Sequence, residues 1–132
     1  MEHRLRAALL GWLRADPTLS SRINAFAEES PVAATAPWLG IAASASTDWS
    51  TKDRTGREIR IALELQTRGD DPAGDADIVA ALETRIAALP RTQPDLVIVT
   101  TQFLRARAER RARNMRAHLC EYRFRILENQ PE

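Results

Sequence analysis

The sequence has little cysteine, lysine, glycine or aromatic content, and almost no net charge. A single cysteine, Cys120, excludes an internal disulfide and a zinc site built from several thiolates of one chain. Two histidines, His3 and His118, leave little material for metal binding or general-base chemistry. Gly56, Gly69 and Gly74 have neither the P-loop nor the dinucleotide-binding spacing, so no phosphate cradle is predicted. Nineteen basic against eighteen acidic residues give +1, which removes the bulk-charge argument for a nucleic-acid binder. The longest apolar run near the start, Ala7 to Leu13, is interrupted by Gly11 and flanked by Arg6 and Arg14. It is too short to span a bilayer, and no small-residue cleavage site follows it. The expectation is a soluble cytoplasmic chain with no membrane partner.

What is present is an ordinary globular composition: 44% hydrophobic and 28% charged over 132 residues, enough for one domain with one core. Leu5, Leu9, Trp12 and Leu13 share a helical face, and Asp16-Pro17 should end that helix and begin another. Leu19, Ile23 and Phe26 continue the helical spacing, which predicts a second short helix or helical turns. Trp38 to Ser46 is read as a strand with Leu39, Ile41, Ala43 and Ala45 on one face. A long polar hairpin loop, about 47–57, leads to the clearest strand, where Ile59, Ile61, Leu63 and Leu65 alternate with Glu58, Arg60, Glu64 and Gln66. Asp75 is read as the cap of a helix with Ile78, Val79, Leu82, Ile86 and Leu89 on its apolar face, stopped by Pro90. Leu96 to Val99 begins another strand, extendable to Leu104. Cys120, Tyr122, Phe124 and Ile126 mark a terminal one, and 128–132 is expected to fray. The predicted fold is α+β: a mainly antiparallel four-stranded sheet with helices packed on one face, in one domain over 1–132.

Between the last two strands, about 105–116, six arginines stand against one glutamate, Glu109, a local charge of +5. Helix propensity and the lack of an apolar face conflict there, so the segment is read as a connection of undecided conformation. Arg105, Arg107, Arg110, Arg111, Arg113 and Arg116 form either a surface for phosphates or an acidic partner, or a solvated loop. No aromatic residue interleaves them, as a single-strand binder would require for stacking. His118 and Cys120 share a strand face, but nothing orients the histidine, and Cys120 is expected to be a core thiol. Asp70, Asp71, Asp75 and Asp77 lack the closing glutamate of a calcium loop and are read as helix N-terminal charge. Trp49 in the polar loop is read as folding back on the sheet, with an exposed protein–protein contact as the alternative. No catalytic, cofactor-binding or metal-ligating set emerges.

The order of these segments carries a resemblance. The stretch "LRAALLGWLRADPTLSSRI", the proline-led "PWLGIAASAS", then "DWSTKDRTGREIRIALELQTR", a helix and the closing "CEYRFRI" resemble the tail-terminator, or tail-completion, proteins of long non-contractile-tailed phages and gene transfer agents. The sharpest part is Asp48-Trp49-Ser50-Thr51-Lys52 with Gly56. Where such proteins carry a polar turn with Asp or Gly, this chain carries Arg105 to Arg116. The resemblance implies a structural, non-enzymatic virion protein without cofactor or metal. It implies a homo-oligomer, a hexameric ring, that caps the head-proximal end of the tail tube and stops tube growth. The ring would join the tail tube protein to the head connector or stopper protein, with DNA passing through its lumen without sequence-specific binding. Assembly would take place in the bacterial cytoplasm, and the mature site would be the head–tail junction of a phage or phage-like particle. Candidate contacts with neighbours or tube are Asp48, Trp49, Lys52, Arg54, Arg57, Asp70 and Asp71. The acidic patch around Asp70–Asp77 is expected to meet the arginine segment of the next subunit. The alternatives are another head–tail joining or tail-tube protein, and a small nucleic-acid-binding module using the arginine segment.

Overall fold

A computed structural model describes residues 1–29, 34–69 and 71–129. The elements run α1 (Glu2–Arg14), α2 (Pro17–Arg22), β1 (Ala25–Ala27), β2 (Trp38–Asp48), β3 (Gly56–Arg68), α3 (Ala73–Ala87), β4 (Leu96–Arg110) and β5 (Met115–Glu128). The sheet has five strands in the order β1-β2-β3-β5-β4. β1 lies parallel to β2 and every other neighbour is antiparallel. The fold is therefore α+β as expected, but the sheet is mixed rather than antiparallel and has one more strand.

The extra strand replaces the expected second half of a helix. α2 begins on Pro17, whose fixed φ suits the first helical position, and ends at Arg22. Ile23 is already extended, at φ −110 and ψ 123, and is buried. Ala25–Ala27 then pairs with Trp38–Gly40, where it satisfies part of the β2 edge.

One face of the sheet is covered. Ile59, Ile61, Leu63 and Leu65 of β3 lie opposite Phe124, Tyr122, Cys120 and His118 of β5 in register. All of them except His118 pack with Leu5, Leu9 and Leu13 of α1 and Ile78, Leu82 and Ile86 of α3 in a single core cluster. In β2 a bulge between Ile41 and Ala43 reverses the alternation. Leu39 and Ile41 face the core, but beyond the bulge Ser44 and Ser46 take the helix side, and Ala43 and Ala45 turn to the other face. The expected four-residue apolar face is thus broken in its middle.

The largest correction concerns 105–116. β4 continues to Arg110 and β5 starts at Met115, so only a tight turn lies between them. Arg113 and Asn114 both have positive φ, 61 and 58, and the Met115 amide donates to the Ala112 carbonyl, the geometry of a two-residue hairpin turn. The segment is a strand because its charges alternate with alanine: Arg105, Arg107 and Glu109 point to the uncovered face, Ala106 and Ala108 to the helix side. The chain end is also held further than expected. The Glu128 amide donates to the Thr55 carbonyl and the Asn129 amide to that of Asp95. The remainder of the expected tail, 130–132, lies outside the described residues.

Candidate assembly surfaces

Three surfaces carry the residues singled out from the sequence. The first is the end of the sheet where β2 passes into β3. Gly56 opens β3 because nothing larger fits: a Cβ there would lie 2.5 Å from the Trp49 carbonyl oxygen and 2.8 Å from that of Ile126. Asp48 pairs with Arg57 in register, and its carboxylate accepts a hydrogen bond from Ser50 Oγ at 2.7 Å. Trp49 is half-buried, with the Arg125 guanidinium 5.7 Å from its ring, so it folds back as expected. Arg54 donates twice to the Glu128 carbonyl, at 3.0 and 2.8 Å, and ties the loop to the end of β5. Arg57 lies 3.7 Å from Glu2 of α1. Glu2 also accepts from Ser46 Oγ at 2.7 Å, and that hydrogen bond leads the effects that hold its carboxyl down at about 2. Lys52 is exposed.

The second surface is the uncovered face of the sheet, where arginines and glutamates form a ladder across strands. Arg105 makes a bidentate contact with Glu121, at 2.6 and 3.2 Å. Arg107 meets Glu109 at 3.1 Å, and Arg111 reaches both Glu64 at 3.1 Å and Glu109 at 3.2 Å. Glu58 receives Arg125 at 3.0 Å and Arg123 at 3.9 Å. Their hydrogen bonds raise Arg105 and Arg111 above the usual arginine value, Glu121 acting on the first and chiefly Glu109 on the second. Exposed pairs of this kind contribute only ~0.2–1 kcal/mol each, so the ladder balances charge more than it stabilises the fold. Between β2 and β4 the face dips into a depression floored by Ala43, Ala45 and Ala62 and walled by Arg60 and Arg105.

The third lies at the opposite end of the strands, where Arg68 pairs with Met115. Here Asp75 is buried and does not cap α3; the Asp71 carboxylate accepts from the Ala73 amide there. Asp75 Oδ2 accepts from Thr67 Oγ1 and from Arg116 Nε, each at 2.7 Å, and His118 Nε2 lies 2.8 Å away. Burial alone would push this carboxyl up. The hydrogen bonds from Arg116, His118 and Thr67 outweigh it and hold Asp75 well below the usual carboxylate range. Arg116 further donates to the carbonyls of Gly69 and Asp71. Cys120, two residues beyond His118, is buried among apolar neighbours, and burial pushes its thiol up to about 12, so it stays protonated at neutral pH.

The residues expected to form one contact set are therefore separated. Asp48 to Arg57 lie at one end, Asp71 at the other, and Asp70 lies outside the described residues. The arginine segment is divided among three settings: Arg105, Arg107 and Arg111 on the ladder, Arg116 on Asp75, and Arg110 and Arg113 at the exposed hairpin end. Asp75 meets arginine within its own chain, so it is not free for the expected pairing with a neighbour. Glu58, Glu64, Glu121, Arg123 and Arg125 escaped the sequence reading as partners. Their strict alternation with the buried residues of β3 and β5 was the available signal.

With this geometry in view, comparison with known proteins is decisive. The sequence matches the profile of the family described as Tail completion protein gp17 over residues 7–127. The chain belongs to that family. No curated protein matches it significantly. Among solved structures, a chain from the "Virion of native gene transfer agent (GTA) particle" superposes with a TM-score of 0.78 at 23% identity, covering 96% of each chain. That likeness is one of fold: this tail-completion chain shares its architecture over nearly its whole length.

Proposed function

We propose that this tail-completion protein is a tail terminator. Copies form a ring, most simply a hexamer, on the head-proximal end of the tail tube. The ring stops tube polymerisation and presents a docking surface to the head connector or stopper protein, and DNA passes through its lumen. The observation that carries the reading is the family match over 7–127, joined to a fold shared over 96% of both chains with a component of a gene transfer agent virion. The surfaces agree with a part that assembles: arginine–carboxylate pairs spread over one sheet face and both strand ends.

The ladder counts against a nucleic-acid-binding module. Four of the six arginines, Arg105, Arg107, Arg111 and Arg116, are matched by carboxylates of the same chain, so most of the local +5 of the sequence is not free charge. Native mass spectrometry with negative-stain imaging over a concentration series tests the proposal, together with tail-tube polymerisation in the presence of the protein. Closed rings with an open centre and tubes of arrested length are expected. A protein that forms no ring, alone or on tubes, and leaves tube length unchanged overturns it. Tight DNA binding that weakens steeply with salt would favour the alternative.

A further inference from the structure

The sheet has two long open edges. β1 covers only Trp38–Gly40 of β2, so Ile41–Asp48 has no strand beside it among the described residues. β4 is the other outer strand; Arg91–Gln93 bonds back onto Leu96–Ile98, and from Thr100 to Arg110 no strand lies beside its outer edge among the described residues. An uncovered strand edge presents rows of unpaired amide and carbonyl groups, and natural proteins blunt such edges with proline, lysine or a covering segment. Neither stretch contains proline or lysine. On β4 sits Phe103, the one large hydrophobic residue among those described that is exposed, at 48%, standing edge-on to Tyr122 with ring centroids 5.5 Å apart.

The register of the sheet relates the two edges. Ser44 pairs with Ile61, Ile61 with Tyr122, and Tyr122 with Phe103. By the same steps Ile41 stands level with Ala106, and Asp48 with Ile98. The open part of β2 is thus level with the part of β4 that carries Phe103. The two strands run in opposite directions, and both Ser44 and Phe103 are on the helix side. A rotation about an axis along the strands therefore brings β4 of one copy antiparallel to β2 of the next, with the helix sides continuous. It sets Phe103 against the serine side chains of β2, where there is room for a ring. Charge agrees as well. Gly40 is level with Arg107, and the Glu29 backbone approaches Gly40, which places exposed Glu29 near the neighbour's Arg107 and Arg110. Bulges after Ile98 and after Phe103 add twist to β4, which a closed ring of sheets requires.

We infer that the chain self-associates by edge-to-edge pairing, β4 of one copy with Ile41–Asp48 of the next, and that Phe103 is the anchor of this heterologous contact. This rests on the ring reading above and assigns the strands and side chains that make the ring. The test uses Ser44→Cys, Ser46→Cys and Thr101→Cys in the full chain with a short bismaleimide. Buried Cys120 is controlled for by the unsubstituted protein. A mixture of β2 and β4 single variants should give cross-linked dimers that neither gives alone. A chain carrying both Ser46→Cys and Thr101→Cys, which are level in the register and leave Phe103 in place, should give a covalent ladder. Phe103→Asp should raise the concentration for half-assembly at least about tenfold without lowering the melting temperature. Dimers from one single variant by itself would mean a two-fold contact and overturn the inference. Rings that form without any β2–β4 cross-link overturn it while leaving the terminator reading standing. A ladder running on without closure supports the pairing and counts against the ring. A chain monomeric at every concentration, with and without tubes, overturns both.

Discussion

Trp12 and Arg85 hold each other by three contacts. The Trp12 Nε1 donates to the Arg85 carbonyl at 2.7 Å, Arg85 Nε donates to the Trp12 carbonyl at 2.9 Å, and the guanidinium lies 3.3 Å from the centre of the indole ring. The pair fastens the end of α1 to the end of α3 where both helices leave the sheet. A double-mutant cycle between Trp12→Phe and Arg85→Ala, read by denaturant unfolding, should return a coupling of about 1–2 kcal/mol. Simple additivity would mean that the two side chains act independently.

Asp75 makes stability depend on acid. Its folded-state carboxyl is held below the unfolded value, so the stabilisation is complete above roughly pH 4 and is lost as pH falls through the folded value. Glu2, held at about 2, adds to the same trend. Asp75→Asn should cost about 3 kcal/mol at pH 7, roughly 10 °C in melting temperature. The difference from the parent should shrink in scans repeated at pH 3.

Gly56→Ala should destabilise by about 2 kcal/mol or more. Beside the Leu127 side chain, a Cβ there would meet two backbone oxygens, which cannot rotate away as a side chain could. Gly74→Ala is the control, because nothing lies within 4 Å of its Cβ position. Equal melting temperatures for the two variants would refute the crowding argument.

The turn at Arg113 predicts a gain. A side chain other than asparagine or glycine at φ 61 is strained by about 1–2 kcal/mol. Arg113→Asn should therefore stabilise by about 1 kcal/mol, measured as a higher denaturation midpoint at unchanged slope.

Charge reversal separates assembly from folding along the arginine segment. Arg110→Glu should weaken self-association and leave the melting temperature within a degree or two, since Arg110 is exposed at the hairpin end. Arg111→Glu should lower stability itself by about 2–3 kcal/mol, because Glu64 is nearly buried and would lose its partner to a like charge. Sedimentation velocity paired with thermal melts distinguishes the two effects.

How much of this was legible in the residues depends on how strong each periodic signal was. β3 was plain because isoleucine and leucine alternate with charge without a break. β4 beyond Leu104 was hidden because its inward positions are alanine, which contributes too little hydrophobic contrast, and because alanine and arginine both favour helix. β1 was missed because three residues carry no period, and the strand exists only through its pairing with β2. The bulge in β2 could not be read from a run of alanine and serine, where either parity looks alike. The surface set was legible as residue types and not as places. Arg116 and Asp75 lie far apart in sequence, and only the packing of α3 on the sheet brings them within 2.7 Å.

The ladder on the uncovered face has a consequence for anything that moves across it. Strands lie about 4.8 Å apart, so the sign of the surface alternates on the scale of a single side chain and well within the screening distance of physiological salt, about 8 Å. At the range of a passing polymer the arginine potential is largely cancelled by its own glutamates. A polyanion drawn over such a surface meets many shallow wells and no deep one. The face thus holds a polyanion more weakly than the density of arginine in its strands suggests.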